Sequence, residues 1–450
     1  GEVSRQTCNF IVHLTMMNTA ARRILSVASR RVQGNGKEFS TLVAATEEFP
    51  GLPSITPEAA KASVASVTTL ASGLVVVTEN AASTSTVTMT YPKAGSASEA
   101  IDEQGAALIN KCLAFNSGSG LSTIMIHRTI ENEGAIPFAE ASRTGATLGY
   151  TVEPDNAVGL VPLLATDCTF EKWDVRDAKK LASFQTAEAN KSAQIALTEQ
   201  IYAAAYGAQS AMGRPFYSTD ASTYEIASFR SRGYGLNGAI LAATGISDHG
   251  AFCAEVDSLL SESTAGTADA APTSAYMGGE ARLAAAGAGF AHVALAFEAS
   301  VSAAMRSVLK ECFSVVGKEA GVAGFETTGL VGVYAAAPSD GVGALDSAMT
   351  DTILSKMSAD VVSKAKTLAK AEALFGLDCG SKGLAAAMTA GVMETGSFSS
   401  ASGLASEFDA ITEKDVSSAL ATILKSNPSL AAVGDISVLP YQGTFASRFQ

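Results

Sequence analysis

Ser85-Thr-Val-Thr-Met-Thr-Tyr91 alternates apolar and polar residues, so Val87, Met89 and Tyr91 share one face of an extended strand. Just upstream, Val67-Thr-Thr-Leu-Ala-Ser-Gly-Leu-Val-Val-Val-Thr78 holds two β-rich runs on either side of Gly73. Moving outward from these strands, helical patterns follow at roughly 99–115, 121–133, 155–167, 171–189 and 193–207. A further strand is expected near 236–244. The stretch 261–275, Ser-Glu-Ser-Thr-Ala-Gly-Thr-Ala-Asp-Ala-Ala-Pro-Thr-Ser-Ala, has few large apolar anchors and reads as an exposed linker.

After that linker the plan restarts. His292-Val-Ala-Leu-Ala-Phe-Glu298 is strand-like, as Ser85–Tyr91 is. Val175-Arg-Asp-Ala-Lys-Lys-Leu-Ala-Ser-Phe-Gln-Thr-Ala-Glu-Ala189 is echoed by Val362-Ser-Lys-Ala-Lys-Thr-Leu-Ala-Lys-Ala-Glu-Ala373. Thr412-Glu-Lys-Asp415 has capping-box spacing with Asp in place of Glu, and it opens a helix with Val416, Leu420, Ile423 and Leu424 on one side. Asn427-Pro428 stops that helix, and Ser429-Leu-Ala-Ala-Val-Gly434 reads as a closing strand. Strands grouped before helices, used twice, give an α+β fold of two similar halves, 66–260 and 276–450, joined by the linker 261–275.

Composition narrows the function. The chain has 450 residues, too many for one ordinary core, and 47% are apolar, so buried interiors are well supplied. The net charge of −13 argues against a nucleic-acid partner, which calls for a basic face. Six scattered cysteines (Cys8, Cys112, Cys168, Cys253, Cys312, Cys379) form no CxxC pair and fit reduced thiols. Of the four histidines (His13, His127, His249, His292), no two lie within a helical turn of each other. No run reaches the ~20 apolar residues of a membrane helix; Leu283–Phe297 is short and contains His292.

From Val3 to Lys37 there are six basic residues and no acidic one, and residues 17–32 form an amphipathic helical pattern with Arg22, Arg23, Arg30 and Arg31. This acid-free, Arg-rich and Ser-containing stretch has the signature of a mitochondrial transit peptide; residues 1–37 are expected to comprise that peptide and, before Met16 and Met17, upstream residues. Residues 38–65, with Pro50, Pro53 and Pro57, read as an irregular lead-in.

Several segments, in this order, resemble the pitrilysin/insulinase-like peptidase family, to which the mitochondrial processing peptidases and the core subunits of the cytochrome bc1 complex belong. They are Thr68–Thr78 with Tyr91–Ser96; Gly105–Phe115 with Ile130-Glu131 and Gly134; and Asp155–Ala157 with Leu163-Leu164 and Phe170–Trp173. They continue with Ile201–Tyr206 and Gly213-Arg-Pro215; Gly245–His249; Tyr276–Glu280 with Arg282 and His292–Glu298; and Gly329–Tyr334. Together they cover roughly residues 66–440. The resemblance implies two halves, each a mainly antiparallel sheet packed with helices, closing as a clamshell.

Active relatives carry H-x-x-E-H on a helix. Histidines at i and i+4 share one face and grip zinc, the intervening Glu serves as general base, and a distant Glu completes the ligands. The Leu-Ala-Phe that follows the motif stands here as Leu113-Ala114-Phe115, which puts the motif at Leu108-Ile-Asn-Lys-Cys112. Leu108 has no donor atom, and Lys111 places a cation where the base belongs. Cys112 offers a single thiol. The distal helix from Trp173 to Ala189 offers Asp174, Asp177 and Glu188 around an Ala-Lys-Lys centre instead of paired acids. No catalytic, cofactor-binding or metal-ligating residue is therefore assigned, and no cofactor is expected. Leu108 and Cys112 read as packed helix residues, Lys111 as reaching solvent, Trp173 as a core anchor, His249 as a turn residue and His292 as a strand residue.

The resemblance then implies a noncatalytic subunit that pairs with a core 1 or processing-peptidase β-like subunit. In the bc1 case the dimeric assembly lies on the matrix side of the inner mitochondrial membrane, beneath cytochrome b, cytochrome c1 and the Rieske protein, with membrane contact through partners only. The processing-peptidase α subunit has a glycine-rich loop for presequences. Here the matching region, Cys312–Glu326, is short and lacks a dense glycine run. A working metallopeptidase with an unrecognised site, and a presequence-binding subunit, are the rival readings.

Overall fold

The computed structural model describes residues 63–117, 120–165, 170–263, 274–285 and 287–449. The transit-peptide segment, most of the lead-in and most of the linker lie outside the described residues. Two β-rich runs around Gly73 become strands β1 (Ala65–Thr69) and β2 (Val75–Glu79), turned by Gly73 at φ 82°. β3 (Ser85–Tyr91) has the bounds that its alternation predicts. β4 (Ile136–Ala141), β5 (Ala146–Val152) and β6 (Ile240–Ala243) complete a sheet in the order β1-β2-β6-β3-β5-β4. The second sheet takes β7 (Glu280–Ala284), β8 (Phe290–Glu298), β9 (Val322–Thr327), β10 (Leu330–Pro338) and β11 (Ser429–Gly434) in the order β7-β11-β8-β10-β9.

The two orders are one plan used twice. β2 pairs with β6 in parallel, as β7 does with β11, and the remaining pairs of both sheets are antiparallel. β1 is the only strand of the two sheets without a counterpart, among the described residues.

The helices repeat as well. In the first half they are α1 (Ala106–Cys112), α2 (Thr123–Asn132), α3 (Lys172–Ala189), α4 (Ala193–Tyr206), α5 (Thr223–Gly233) and α6 (His249–Leu259). The second half has α7 (Ala303–Gly317), α8 (Leu345–Leu354), α9 (Ala359–Asp378), α10 (Ser381–Thr395), α11 (Ala401–Ala410), α12 (Glu413–Ile423) and α13 (Gln442–Ala446). α1 packs on α3 as α7 packs on α9. The echo between residues 175–189 and 362–373 is thus the same helix in both halves. Val175, Ala178 and Ala182 are buried in α3, and Val362, Ala365 and Ala369 at the same register in α9.

Two expected helices change. Of 99–115, only 106–112 is α-helical, behind a 3-10 turn at Ser96–Ser98. Residues 155–165 hold two 3-10 turns, Pro154–Asn156 and Val161–Leu163. Pro162 removes an amide donor and clashes with the preceding turn, and Gly159 weakens the helix further. The capping box at Thr412 and Asp415 is present in both directions, at the start of α12.

One face of each sheet carries its own half's helices. Val87, Met89 and Tyr91 pack with Leu148, Tyr150, α2 and α6 in the first half. Val293, Leu295 and Phe297 pack with α7, α8 and α9 in the second. The other face is covered from across the chain. α4, from the first half, lays Leu197, Ile201 and Tyr202 over Ala294, Ala296, Leu330, Ala431 and Val433 of the second sheet. α10, from the second half, lays Met388 and Val392 over Val77, Ile240 and Ala242 of the first. Small residues on the receiving strands let these helices approach. Hydrogen bonds pin both ends: Met277 and Gly278 N–H donate to the Ala205 carbonyl at 2.9 and 3.2 Å, and Ser381 bonds Thr84 and Thr86 at 3.0 and 2.8 Å.

Met388 is fully buried against strands of the opposite half. Met388→Ala is expected to cost about 2–5 kcal/mol, as removal of a packed core side chain does. Exposed Met393 on the same helix, changed to Ala, should move stability by no more than about 0.5 kcal/mol. Urea unfolding of the two variants checks this.

Candidate functional site

α1 starts at Gly105, whose φ of 91° only glycine adopts without strain and whose missing Cβ would sit 2.4 Å from the Ser218 carbonyl oxygen. The following residues are driven inward. Ala106, Ala107, Leu108, Ile109 and Leu113 join Val175, Ala178 and Ala182 of α3 and Ile226 and Phe229 of α5 in one apolar cluster. Leu108 and Ile109 have no exposed surface. Asn110 is also fully buried, its amide nitrogen donating to the carbonyls of Ala106 at 2.9 Å and Ile226 at 3.3 Å.

Lys111 does not simply reach solvent as expected. Its Nζ donates to Gln185 Oε1 of α3 at 3.2 Å and is half-buried. Cys112 is half-buried too, and burial pushes its thiol up despite the pull of the Lys111 charge, so it stays protonated at neutral pH. A protonated thiol is neither a nucleophile nor a ready metal ligand.

The distal acids are engaged elsewhere. Asp174 accepts a 2.5 Å bond from Ser117 Oγ. Asp177 is fully solvated and held below the usual carboxylate range, first by its hydrogen bond to Arg176. Glu188 pairs with Lys191 at 2.9 Å. Among the described residues, no group of three or more His, Cys, Asp or Glu side chains could hold a metal ion.

Trp173 corrects an expectation: it is 59% exposed on the outer side of α3, not a core anchor. The apolar contacts of α3 run through Val175, Ala178 and Ala182, and Trp173 points away from that line. His249 is not in a turn either. It is the first residue of α6, and its ring nitrogens bond Thr68 of β1 and Thr78 of β2, each at 2.8 Å, so it ties the edge strand down. His292 does lie in a strand, β8, with Nδ1 bonded to the Tyr334 hydroxyl at 2.8 Å. Burial lowers the pKa of both imidazoles, which keeps them neutral.

Residue reading missed the buried carboxylate behind α1. Glu99 accepts the N–H of Ala107 at 2.7 Å and of Gly105 at 3.1 Å, and Arg214 donates to its main-chain oxygen. Gly213-Arg-Pro215 was the only signal in the sequence for this partner. A cavity of about 330 Å3 lies between α4 and strands β8–β10, lined by Gln194, Leu197, Ile201, Phe325, Thr327 and Tyr334. Its repeat-related counterpart, about 170 Å3, lies between α10 and β3–β5 beside Phe138 and Lys382. In both, a Phe of the edge strand stands opposite a Gly: Phe138 over Gly149 and Phe325 over Gly332. Cys312–Glu326, the region matched to a presequence loop, is the end of α7, a 3-10 turn and most of β9.

Residues 74–220 match the profile of the insulinase family (peptidase family M16) and form a domain of that kind. The chain is 26% identical to a mitochondrial-processing peptidase subunit alpha of Solanum tuberosum, covering 85% of this chain and 84% of that protein. It is 23% identical to a mitochondrial-processing peptidase subunit alpha-2 of Dictyostelium discoideum, covering 78% and 86%. In fold it is similar to a chain of the solved structure of complex III2 from Candida albicans with Inz-5 bound. The TM-score is 0.72 at 18% identity, over 85% of this chain and 99% of that one. The α+β fold with two helix-packed sheets is therefore shared with that chain of complex III2 and is M16-like.

Glu99 gives this region a pH dependence. Burial raises its carboxyl from 4.5 to about 7, against the opposing pull of the two N–H donors and Arg214. A raised folded-state pKa means the folded chain binds the proton more tightly. Its contribution is thus full below about 4.5 and is lost as pH climbs through about 7, by up to ~3 kcal/mol. Glu99→Gln should gain stability relative to the parent chain between pH 4.5 and 8. Melting curves across that range test it; parallel curves would contradict the assignment.

Proposed function

We propose that this chain is a noncatalytic structural subunit of peptidase descent, the core 2 subunit of the mitochondrial cytochrome bc1 complex (complex III). One observation carries the reading. At the place of H-x-x-E-H in active relatives stand a fully buried Leu108 and a Lys111 that spends its ammonium on Gln185. A leucine cannot ligate zinc, and a lysine cation repels a divalent ion and cannot take a proton from its water. The α1–α3 contact is thus a helix-packing joint.

On this reading the chain pairs with a core 1 or processing-peptidase β-like subunit and supports cytochrome b, cytochrome c1 and the Rieske subunit. It would sit on the matrix side of the inner membrane as a peripheral subunit, after removal of an address within residues 1–37. No helix of the described residues is long and apolar enough to cross a membrane, which fits contact through partners. The likeness in fold to a chain of complex III supports this assembly.

A second reading has its own support. The curated relatives in sequence are processing-peptidase alpha subunits, so a noncatalytic subunit that binds presequences in a soluble matrix heterodimer is the alternative.

Gentle detergent extraction of mitochondria followed by native separation discriminates the two. Co-migration with cytochromes b and c1 is expected; a soluble heterodimer would favour the peptidase alpha role. Independently, the purified chain is expected to hold well under 0.1 equivalent of zinc and to show no chelator-sensitive peptide cleavage. Stoichiometric zinc with a hydrolytic rate would overturn both noncatalytic readings.

A further inference from the structure

The two cavities beneath the crossing helices differ in chemistry although the repeat relates them. Under α10, Thr88, Thr90, Thr147 and Thr389 line the smaller space, and Glu140 closes on Lys382 at 2.7 Å. Thr90 and Thr147 bond each other at 2.8 Å and Thr389 bonds the Ala385 carbonyl at 2.9 Å, so that lining satisfies itself. Under α4 the strands bring Ala294, Ala323 and Gly324 to the space, and the walls are Leu197, Ile201 and Phe325. An apolar space of about 330 Å3 left open forgoes the contacts that bulkier strand side chains would make. It also has the size of a small-molecule site and lies at the seam between halves, where such sites are common.

The polar groups of the larger space converge on one wall. Tyr334 of β10 bonds His292 Nδ1 at 2.8 Å, and Gln194, at the start of α4, bonds Tyr334. Gln194 is the donor, because its bond pulls the Tyr334 pKa down while burial pushes it up. The Tyr334 proton is then directed to the neutral His292 ring, and the amide oxygen of exposed Gln194 is left as an acceptor at the mouth. Other polar side chains of the lining are spent within the fold. Thr198 bonds the Gln194 main-chain carbonyl at 3.0 Å, and Thr327 bonds Tyr202. Glu326 turns to the opposite face of β9, where Ser307 donates to it at 2.8 Å and Lys310 stands at 3.7 Å.

We propose that this cavity binds a neutral, flat amphipathic molecule that carries a hydroxyl group, such as an aromatic alcohol. The apolar body enters the slot between α4 and the sheet, and the hydroxyl donates to Gln194 Oε1 at the mouth. Neutrality follows from the lining. No Lys, Arg or His side chain lines the space to meet an anion, the one carboxylate is engaged on the far side of β9, and an unpaired charge between apolar walls is costly. The site is independent of which assembly the chain joins, so its failure would leave the noncatalytic readings intact.

The test uses the full chain and three probes with one ring system substituted at the same position: naphthol, methoxynaphthalene and naphthoate. Titration calorimetry, with saturation-transfer NMR to follow the probes, is expected to show saturable binding of naphthol. Methoxynaphthalene, which cannot donate, should bind about fivefold more weakly, the loss of one neutral hydrogen bond, and naphthoate at least tenfold more weakly. Gln194→Met keeps the length of an exposed side chain and removes its amide; it should bring the two neutral probes within twofold of each other. Ala323→Phe, from an exposed position on the edge strand, fills the mouth and should weaken every probe at least tenfold with a parent-like melting curve. No saturable binding of naphthol, equal binding of the two neutral probes by the parent chain, or binding unchanged by Ala323→Phe, as attachment elsewhere on the surface would give, overturns the proposal.

Discussion

Each sheet has two apolar faces and only one set of helices from its own half. The unmet face is the constraint from which the rest of the architecture follows. α4 crosses to the second sheet and α10 to the first, so neither half can be completed alone. Fully burying a Leu, Ile or Met side chain contributes roughly 1.5–3 kcal/mol. Leu197, Ile201, Met388 and Val392 therefore hold a sizeable share of the chain's stability in contacts between halves. The polar bonds at the crossing, from Ser381 to Thr84 and Thr86 and from Met277 N–H to Ala205, fix register more than they add energy.

The same repeat clarifies the helix pair at the candidate site. In both halves the first α-helix after the central strand leans on a partner helix through a lysine. Lys111 of α1 reaches Gln185 of α3, and Lys310 of α7 pairs with Glu372 of α9. Burial alone would lower the Lys310 pKa, but Glu372, Glu326 and Glu311 outweigh it and raise it. The first joint is neutral on its acceptor side; the second is rich in carboxylate. That asymmetry matters for chemistry, because a lysine ringed by three acids is a structural ion network, whereas Lys111 brings one amide and no acid within hydrogen-bonding reach.

Much of this was legible in the residues. Alternation located β3 to the residue, the Asn-Pro stop and the apolar run located β11, and the capping box located α12. The Val-Ala-Ala register of the two echoing helices was a true repeat. Other parts were hidden for physical reasons. Alternation puts Thr88 and Thr90 on the face opposite Val87 and Met89, yet all of β3 is buried, because α10, about 300 residues further along the chain, lies over them; threonine in place of Lys or Glu was the available hint. β4 and β5 escaped notice because Ile136 at the start of an edge strand is exposed and small residues carry much of the pairing. Trp173 misled because a large aromatic is usually interior, and only the neighbouring Val-Ala-Ala line reveals which side of α3 faces inward.

On the proposed reading, in which residues 108–112 stand at the place of the zinc motif, they also make sense as packing. Without a metal, two histidines and a glutamate between α1 and α3 would leave buried polar groups in search of partners, at a cost of about 1–3 kcal/mol each. A leucine there removes that cost and adds apolar contact with Val175 and Ala178. Lys111 keeps its charge at the half-exposed margin, where Gln185 satisfies it. Asn110 is a buried polar side chain of this joint; its amide nitrogen donates to two main-chain carbonyls, while its Oδ1 is buried without a hydrogen-bond partner. A close-packed helix joint of this kind gains rigidity at the cost of the open, hydrated space that a metal site needs, which is the trade expected of the proposed structural subunit.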